Sequence, residues 1–191
     1  MIFTDAINRF EAEILMFIRE NMTCPFLDFL MPKITFLADS GWFWIALALL
    51  MLVFKKTRKT GCVMAMALVM GLITANITLK PLIARIRPYD LVEGVEILVE
   101  RLHDFSFPSG HTIASFEGAV AIALTCKKRY GIPAIVLASL IAFSRLYLFV
   151  HYPTDVAVGI ILGILFAYLA KFIYEKAEEK IKEKKSTDIA L

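Results

Sequence analysis

The feature that most narrows the fold is residues 61–79, a run of apolar and small residues without a single charge. About 20 such residues are what a helix needs to cross the hydrocarbon of a bilayer. Three more stretches have the same character: 131–150, whose one charge is Arg145 near its far end; 156–173, apolar until Lys171; and 112–126, which carries only Glu117 and follows a Pro-Ser-Gly turn. A fifth, 42–54, is fully apolar but short, so its span is expected to begin near Thr35, with Asp39 and Ser40 at the membrane edge. Composition agrees. Of 191 residues, 59% are hydrophobic and 20% charged, and mean hydropathy is +0.69, whereas a soluble domain is about 45–50% apolar. These figures exclude a disordered chain, a collagen and a disulfide-stapled secreted module. Cys24, Cys62 and Cys126 are odd in number and match no metal or redox spacing, so they read as packing thiols. A formal charge of +3 is too small to point to a nucleic-acid partner.

Residues 1–22 differ from the rest. Phe3, Ile7, Phe10, Ile14, Phe17 and Ile18 recur at helical spacing against Asp5, Asn8, Arg9, Glu13 and Glu20, which predicts an amphipathic helix lying in the membrane interface or packed on the bundle. The stretch lacks the basic start and cleavage site of a signal peptide. Residues 25–37, interrupted by Asp28, Pro32 and Lys33, supply a sixth, imperfect span. The expected fold is an all-α integral membrane bundle of about six transmembrane helices with an N-terminal amphipathic helix, one domain over 1–191, and a charged tail over 174–191. Basic residues set its orientation: Lys55, Lys56, Arg58 and Lys59, then Lys127, Lys128 and Arg129, then the lysine- and glutamate-rich tail, all on one side, predicted cytoplasmic.

The remaining polar residues gather on the opposite, extracytoplasmic side. His103, His111 and His151 fall there, as do Lys80, Arg85, Arg87, Arg145 and Asp155. Charge at membrane depth is costly and is usually paired or functional. Lys80 and Arg87, seven apart, share a helix face; Arg85 points elsewhere and reads as an interface anchor of the snorkelling kind. Pro108, Ser109, Gly110 and His111 precede an apolar helix, where proline suits the start, the first-turn amides attract anions and glycine permits close approach. Asp155, four residues after His151, can fix its tautomer and leave the other ring nitrogen as base or nucleophile. His103 reads as a surface residue within segment 89–107, whose acidic residues Glu93, Glu96, Glu100 and Asp104 suit a solvated loop. Glu117, about 9 Å along the helix from His111, either pairs with a cation or lines the pocket.

Three fixed cations, two histidines, one carboxylate and a helix N-terminus suit phosphoryl transfer, whose transition state spreads negative charge over phosphorus oxygens. One histidine attacks phosphorus and the other protonates the leaving oxygen. No metal or other cofactor is expected, since the cations neutralise the charge and neither a carboxylate cluster for magnesium nor a zinc spacing is present.

The same segments, Lys80-PLIARI-Arg87-Pro88, then Pro108-Ser109-Gly110-His111, then Ser144-Arg145-LYLFV-His151-YPT-Asp155, resemble the signature of the type-2 phosphatidic acid phosphatase family, a group of membrane lipid phosphatases. The resemblance runs from about residue 79 to 155, with compatible hydropathy to 173. It implies His151 as the nucleophile forming a phosphohistidine, Asp155 as its orienter and His111 as the general acid. Lys80, Arg87 and Arg145, with Ser109 and the Gly110 amide, would bind phosphate. It further implies undecaprenyl diphosphate as substrate, converted to the monophosphate. Phosphatidylglycerol phosphate and phosphatidic acid stay open as substrates. So do a lipid phosphotransferase, a vanadium haloperoxidase (disfavoured by the spans) and a non-enzymatic scaffold or transporter. The expected partners are a lipid phosphate or diphosphate and the membrane lipids themselves. Whether the first forty residues span, lie flat or form a homodimer contact also stays open.

Overall fold

The computed structural model describes residues 3–189; positions 1–2 and 190–191, the extremities of the expected N-terminal helix and tail, lie outside the described residues. Every regular element among the described residues is helical. In order these are α1 (Asp5–Met22), α2 (Pro25–Phe36), a 3-10 turn (Asp39–Gly41), α3 (Trp42–Val53), α4 (Arg58–Gly71), a π-helical stretch (Leu72–Leu79), α5 (Lys80–Ile83), α6 (Pro88–Leu91), α7 (Gly110–Thr125), α8 (Lys128–Tyr147) and α9 (Pro153–Ile189).

By length and apolar character, three helical stretches can cross a bilayer: Arg58–Leu91, Lys128–Tyr147 and Pro153–Lys184. A fourth is added if Pro25–Phe36 and Asp39–Val53, bent by 42°, form one span. This is fewer than the six expected from hydropathy. Helices α2 and α3, in the segments read as separate spans over 25–37 and 42–54, have only 12 residues each, and α7 has only 16, about 24 Å at 1.5 Å per residue.

Helix α7 is the axle. It packs on α4, α8 and α9, and small residues let the helices come close, as is usual where packing rather than water drives association. A methyl group on Gly163 would lie 2.8 Å from the Ile113 carbonyl oxygen, and one on Gly131 2.8 Å from the Ala123 backbone. Trp44 packs over Gly118 and donates to Ser115 Oγ at 3.1 Å, tying α3 to α7. Outward faces remain greasy: Leu49, Leu50, Ile73, Ile77, Ile161, Leu165 and Phe172 are exposed. Such a surface suits hydrocarbon, not water.

The bundle has two chemically distinct ends. At the basic end, Lys59 pairs with Glu175 at 2.8 Å and Thr125 donates to Thr60 at 2.8 Å, drawing the start of α4, the end of α7 and the middle of α9 together. The motif residues occupy the other end. There α1, capped by Thr4, buries Asn8, Glu11, Ala12, Leu15 and Ile18, while Phe10 and Phe17 are 63% exposed. The helix therefore packs through one face and shows its aromatic residues outward.

Candidate active site

Three chain reversals deliver the site residues. In the first, the helical run ends when Ala84 enters the left-handed region at φ 49°, its amide bonding the Lys80 carbonyl at 2.9 Å. Arg87 is extended, and Pro88 opens α6. Lys80 and Arg87 therefore do not share a helix face, contrary to the reading from their spacing. Asp104 unites them instead, its carboxylate pairing with Lys80 Nζ and, at 2.6 Å, with Arg87 Nη2. Burial favours the protonated form of Asp104, but the two cations outweigh it and hold the carboxyl at about 2.

In the second reversal, Ser109 caps α7: its Oγ accepts from the Thr112 amide at 3.4 Å and the Thr112 hydroxyl at 2.9 Å. Gly110 opens the helix with its Cα toward the cations. A methyl group there would sit 3.2 Å from Asn76 Oδ1 and 3.8 Å from Lys80 Nζ. His111 follows, with Nε2 2.7 Å from Asp39 Oδ1 of the 3-10 turn. A carboxylate only accepts, so this nitrogen carries the proton.

The third reversal ends α8. Phe149 adopts φ 59°, an uncommon conformation for a bulky residue, and the amides of Val150 and His151 both bond the Arg145 carbonyl, at 3.2 and 3.3 Å. Arg145 and His151 are thereby fixed to one another, and Pro153 starts α9 as the sequence predicts. His151 is buried. Its Nδ1 lies 3.4 Å from Asp155 Oδ2 and 3.5 Å from Ser106 Oγ, and its Nε2 lies 3.3 Å from Arg87 Nη1. Guanidinium has no acceptor, so Nε2 holds the lone pair and Nδ1 the proton. Burial pushes the imidazole well below its ordinary 6.5, and the charges of Arg87, Arg145 and Lys80 push the same way.

Arg145 is 2% exposed. Its Nη1 bonds Thr35 Oγ1, but among the described residues Nε and Nη2 find no partner. It lines a cavity of about 990 Å³ together with Lys80, Asp104, Gly110, His111 and Asp39. From this charged mouth the cavity runs down between α3 and α4, past Ile45, Leu49, Leu68, Val69 and Leu72. Glu117 lines it too, 1% exposed, with Oε1 unpartnered among the described residues. Of the two readings for Glu117, lining the pocket matches this placement.

Arg85 corrects the sequence reading. It is not an interface anchor but 3% exposed, bonded to Asp155 Oδ1 at 2.5 Å, Thr154 Oγ1 at 2.8 Å, Asn8 Oδ1 at 2.9 Å and Glu11. His103 is exposed, as expected. Sequence reasoning missed Asp104, Ser106, Asn8, Glu11 and Thr35 as partners, and saw in Asp39 only a residue at the membrane edge. No local pattern marks any of them, because each is defined by what folds against it. Among the described residues no group of three or more His, Cys, Asp or Glu is placed to hold a metal ion.

A helical membrane bundle with a cationic, two-histidine site at one end defines a class. Residues 58–179 match the PAP2 superfamily, and the chain belongs to it. It stands among members named for lipid phosphate hydrolysis. It is 35% identical over 127 residues to the undecaprenyl-diphosphatase of Sulfolobus acidocaldarius, covering 66% of this chain and 61%, less than two thirds, of that one. It is 34% identical to phosphatidylglycerophosphatase B of Bacillus subtilis over 80% of this chain and 77% of the relative. The crystal structure of a PAP2-type phosphatidylglycerolphosphate phosphatase from Bacillus subtilis superimposes with a TM-score of 0.74 at 30% identity, over 92% of this chain and 89% of that one.

Proposed function

We propose that this PAP2-superfamily protein is a metal-independent lipid phosphatase that works through a phosphohistidine on His151. The observation that carries the reading is Arg145: a buried guanidinium with two unpartnered nitrogens, lining the same cavity as Lys80, Gly110 and His111. Burying such a charge is costly unless an anion completes its hydrogen bonds, and a phosphoryl group offers oxygens for its fork.

In this reading Lys80, Arg87, Arg145 and the first amides of α7 hold the phosphoryl oxygens, with Ser109 fixing the turn. The His151 Nε2 lone pair attacks phosphorus, and the bond from phosphorus to the lipid-side oxygen breaks. His111, as the imidazolium, donates its Nε2 proton to that oxygen in place of Asp39 and is left as neutral imidazole. Water then attacks the phosphohistidine, His111 takes a proton back, the P–N bond breaks and inorganic phosphate leaves. Asp155 keeps the proton on Nδ1 throughout, so that Nε2 stays nucleophilic.

The apolar channel between α3 and α4 suits the hydrocarbon chain of a lipid that keeps its tail in the bilayer. By the positive-inside rule, the basic residues at the opposite end of the bundle support a site on the extracytoplasmic face of the plasma membrane, with the tail over 174–191 in the cytoplasm. With α7 as a further crossing and α2 and α3 counted apart, the spans approach six. Among substrates we favour undecaprenyl diphosphate, hydrolysed to the monophosphate, given the relative named for that activity. Phosphatidylglycerol phosphate is the second reading, favoured by the near full-length structural match. Phosphate release by the purified protein in detergent, from a panel of lipid mono- and diphosphates, tests both. The account expects turnover of at least one, ranked highest for undecaprenyl diphosphate. Transfer of phosphate to another lipid without free phosphate would replace hydrolysis by phosphotransfer, and inertness toward the whole panel would remove the proposal.

A further inference from the structure

We propose that Arg85 is a positioning residue for Asp155, and that through Glu11 it fastens the interfacial helix α1 to the reacting histidine. The inference rests on the reading of His151 and Asp155 given above. Arg85 does not line the cavity, unlike Lys80 and Arg145. Its donors are spent inside the protein. Nη1 reaches Asp155 Oδ1 and Thr154 Oγ1 in the first turn of α9, Nε reaches Asn8 of α1, and Nη2 pairs with Glu11 of α1. The guanidinium carbon lies 3.9 Å from the ring centres of both Phe3 and Tyr152. Glu11 closes the circuit by accepting from the Thr154 amide at 2.8 Å and the Thr154 hydroxyl at 2.9 Å.

Arg85 also acts on the other oxygen of Asp155. Its carbonyl accepts the Ser106 amide at 2.8 Å, and Ser106 Oγ donates to Asp155 Oδ2 at 2.5 Å. That oxygen also takes the Tyr152 amide at 2.9 Å and faces His151 Nδ1. Both edges of the carboxylate, and so the imidazole it orients, are thus set by one residue. Two buried carboxylates share this cation, and removing it leaves both uncompensated. Lysine, with one nitrogen in place of a rigid fork, cannot hold Asn8 and Glu11 of α1 and Thr154 and Asp155 of α9 at once.

The test is a double-mutant cycle on phosphate release from undecaprenyl diphosphate and phosphatidylglycerol phosphate, with folding checked by gel filtration and thermal unfolding in detergent. We expect Arg85→Lys to lower kcat about 10- to 100-fold, the scale of displacing a reacting group by about 1 Å, with KM changed less than about twofold. Glu11→Gln, the milder change, should lower kcat with the same split. In a background of Asp155→Asn, neither should slow the enzyme further. Multiplicative losses in that background, or a rise in KM with kcat unchanged, would overturn the inference. If Arg85→Lys does not fold, Glu11→Gln alone decides by the same criteria. If Asp155→Asn itself turns over at the wild-type rate, it is the reading of the active site that fails, not the coupling to α1.

Discussion

The two sides of the site are built on opposite rules. Around His151 the groups that hold its carboxylate are matched: Asp155 holds Arg85, Ser106 and the Tyr152 amide, and Arg85 in turn is shared with Glu11 and Asn8, although the Tyr152 hydroxyl has no partner among the described residues. On the cavity side the matching stops. Arg145 keeps two nitrogens, and Glu117 one oxygen, without partners among the described residues, and both line the cavity. The first arrangement fixes a nucleophile; the second leaves hydrogen-bonding capacity for something that enters. Preorganised charge of this kind is worth most where it meets charge that develops during reaction. The contrast explains how one end of a bundle can be both rigid and receptive.

The largest effect that would sharpen this comparison is expected at Arg145. Arg145→Ala should lower kcat/KM by about 10²–10³, as loss of one transition-state donor does, and without loss of thermal stability, since the unmet charge goes with it. Steady-state kinetics and unfolding in detergent check both halves; a stable variant with unaltered kinetics would break the distinction. Next comes Gly110→Ala, whose methyl group would intrude beside Asn76 and Lys80. It should cost about 10- to 100-fold, the scale of misplacing a reacting group by about 1 Å, and should act on the anion side alone, leaving the fold intact.

A smaller effect lies in pH. The neutral form of His151 is the reactive one, and burial with neighbouring cations holds its pKa well below 6.5. Activity that depends on this group is therefore present above its lowered value and lost only as pH falls through it, so the acid limb of kcat/KM should lie clearly below pH 6.5. Asp104, held at about 2, stays ionised across that limb and keeps its hold on Lys80 and Arg87. A limb at or above 6.5 would mean that His151 is not the protected base described. The smallest effect is none at all: excess EDTA should leave turnover unchanged, and loss reversed by magnesium would call for another mechanism.

Much of the architecture was legible in the sequence because hydropathy reports directly on membrane burial and Pro-Gly punctuation on helix starts. The motif segments around Lys80, His111 and His151 do meet at one end, as their spacing implied, and Pro153 does begin α9. What escaped was what depends on tertiary partners. Arg85 looks like any arginine near a span end, and only the docking of α1 shows that it is buried. Glu11 and Asn8 sit in an amphipathic helix that buries them and exposes Phe10 and Phe17, which the pattern of apolar residues alone does not reveal. The left-handed turn at Ala84 has no glycine to announce it, so Lys80 and Arg87 read as one helical face when they are joined through Asp104.

The central claim is that His151 carries the phosphoryl group in transit. Single-turnover reaction with a lipid substrate labelled in its terminal phosphate, quenched in alkali and resolved by mass spectrometry, tests it directly. The account predicts an acid-labile, base-stable phosphoryl adduct on His151 that forms and decays at rates compatible with turnover and is absent from His151→Ala, which releases no phosphate. Release at the wild-type rate by a folded His151→Ala protein would contradict it.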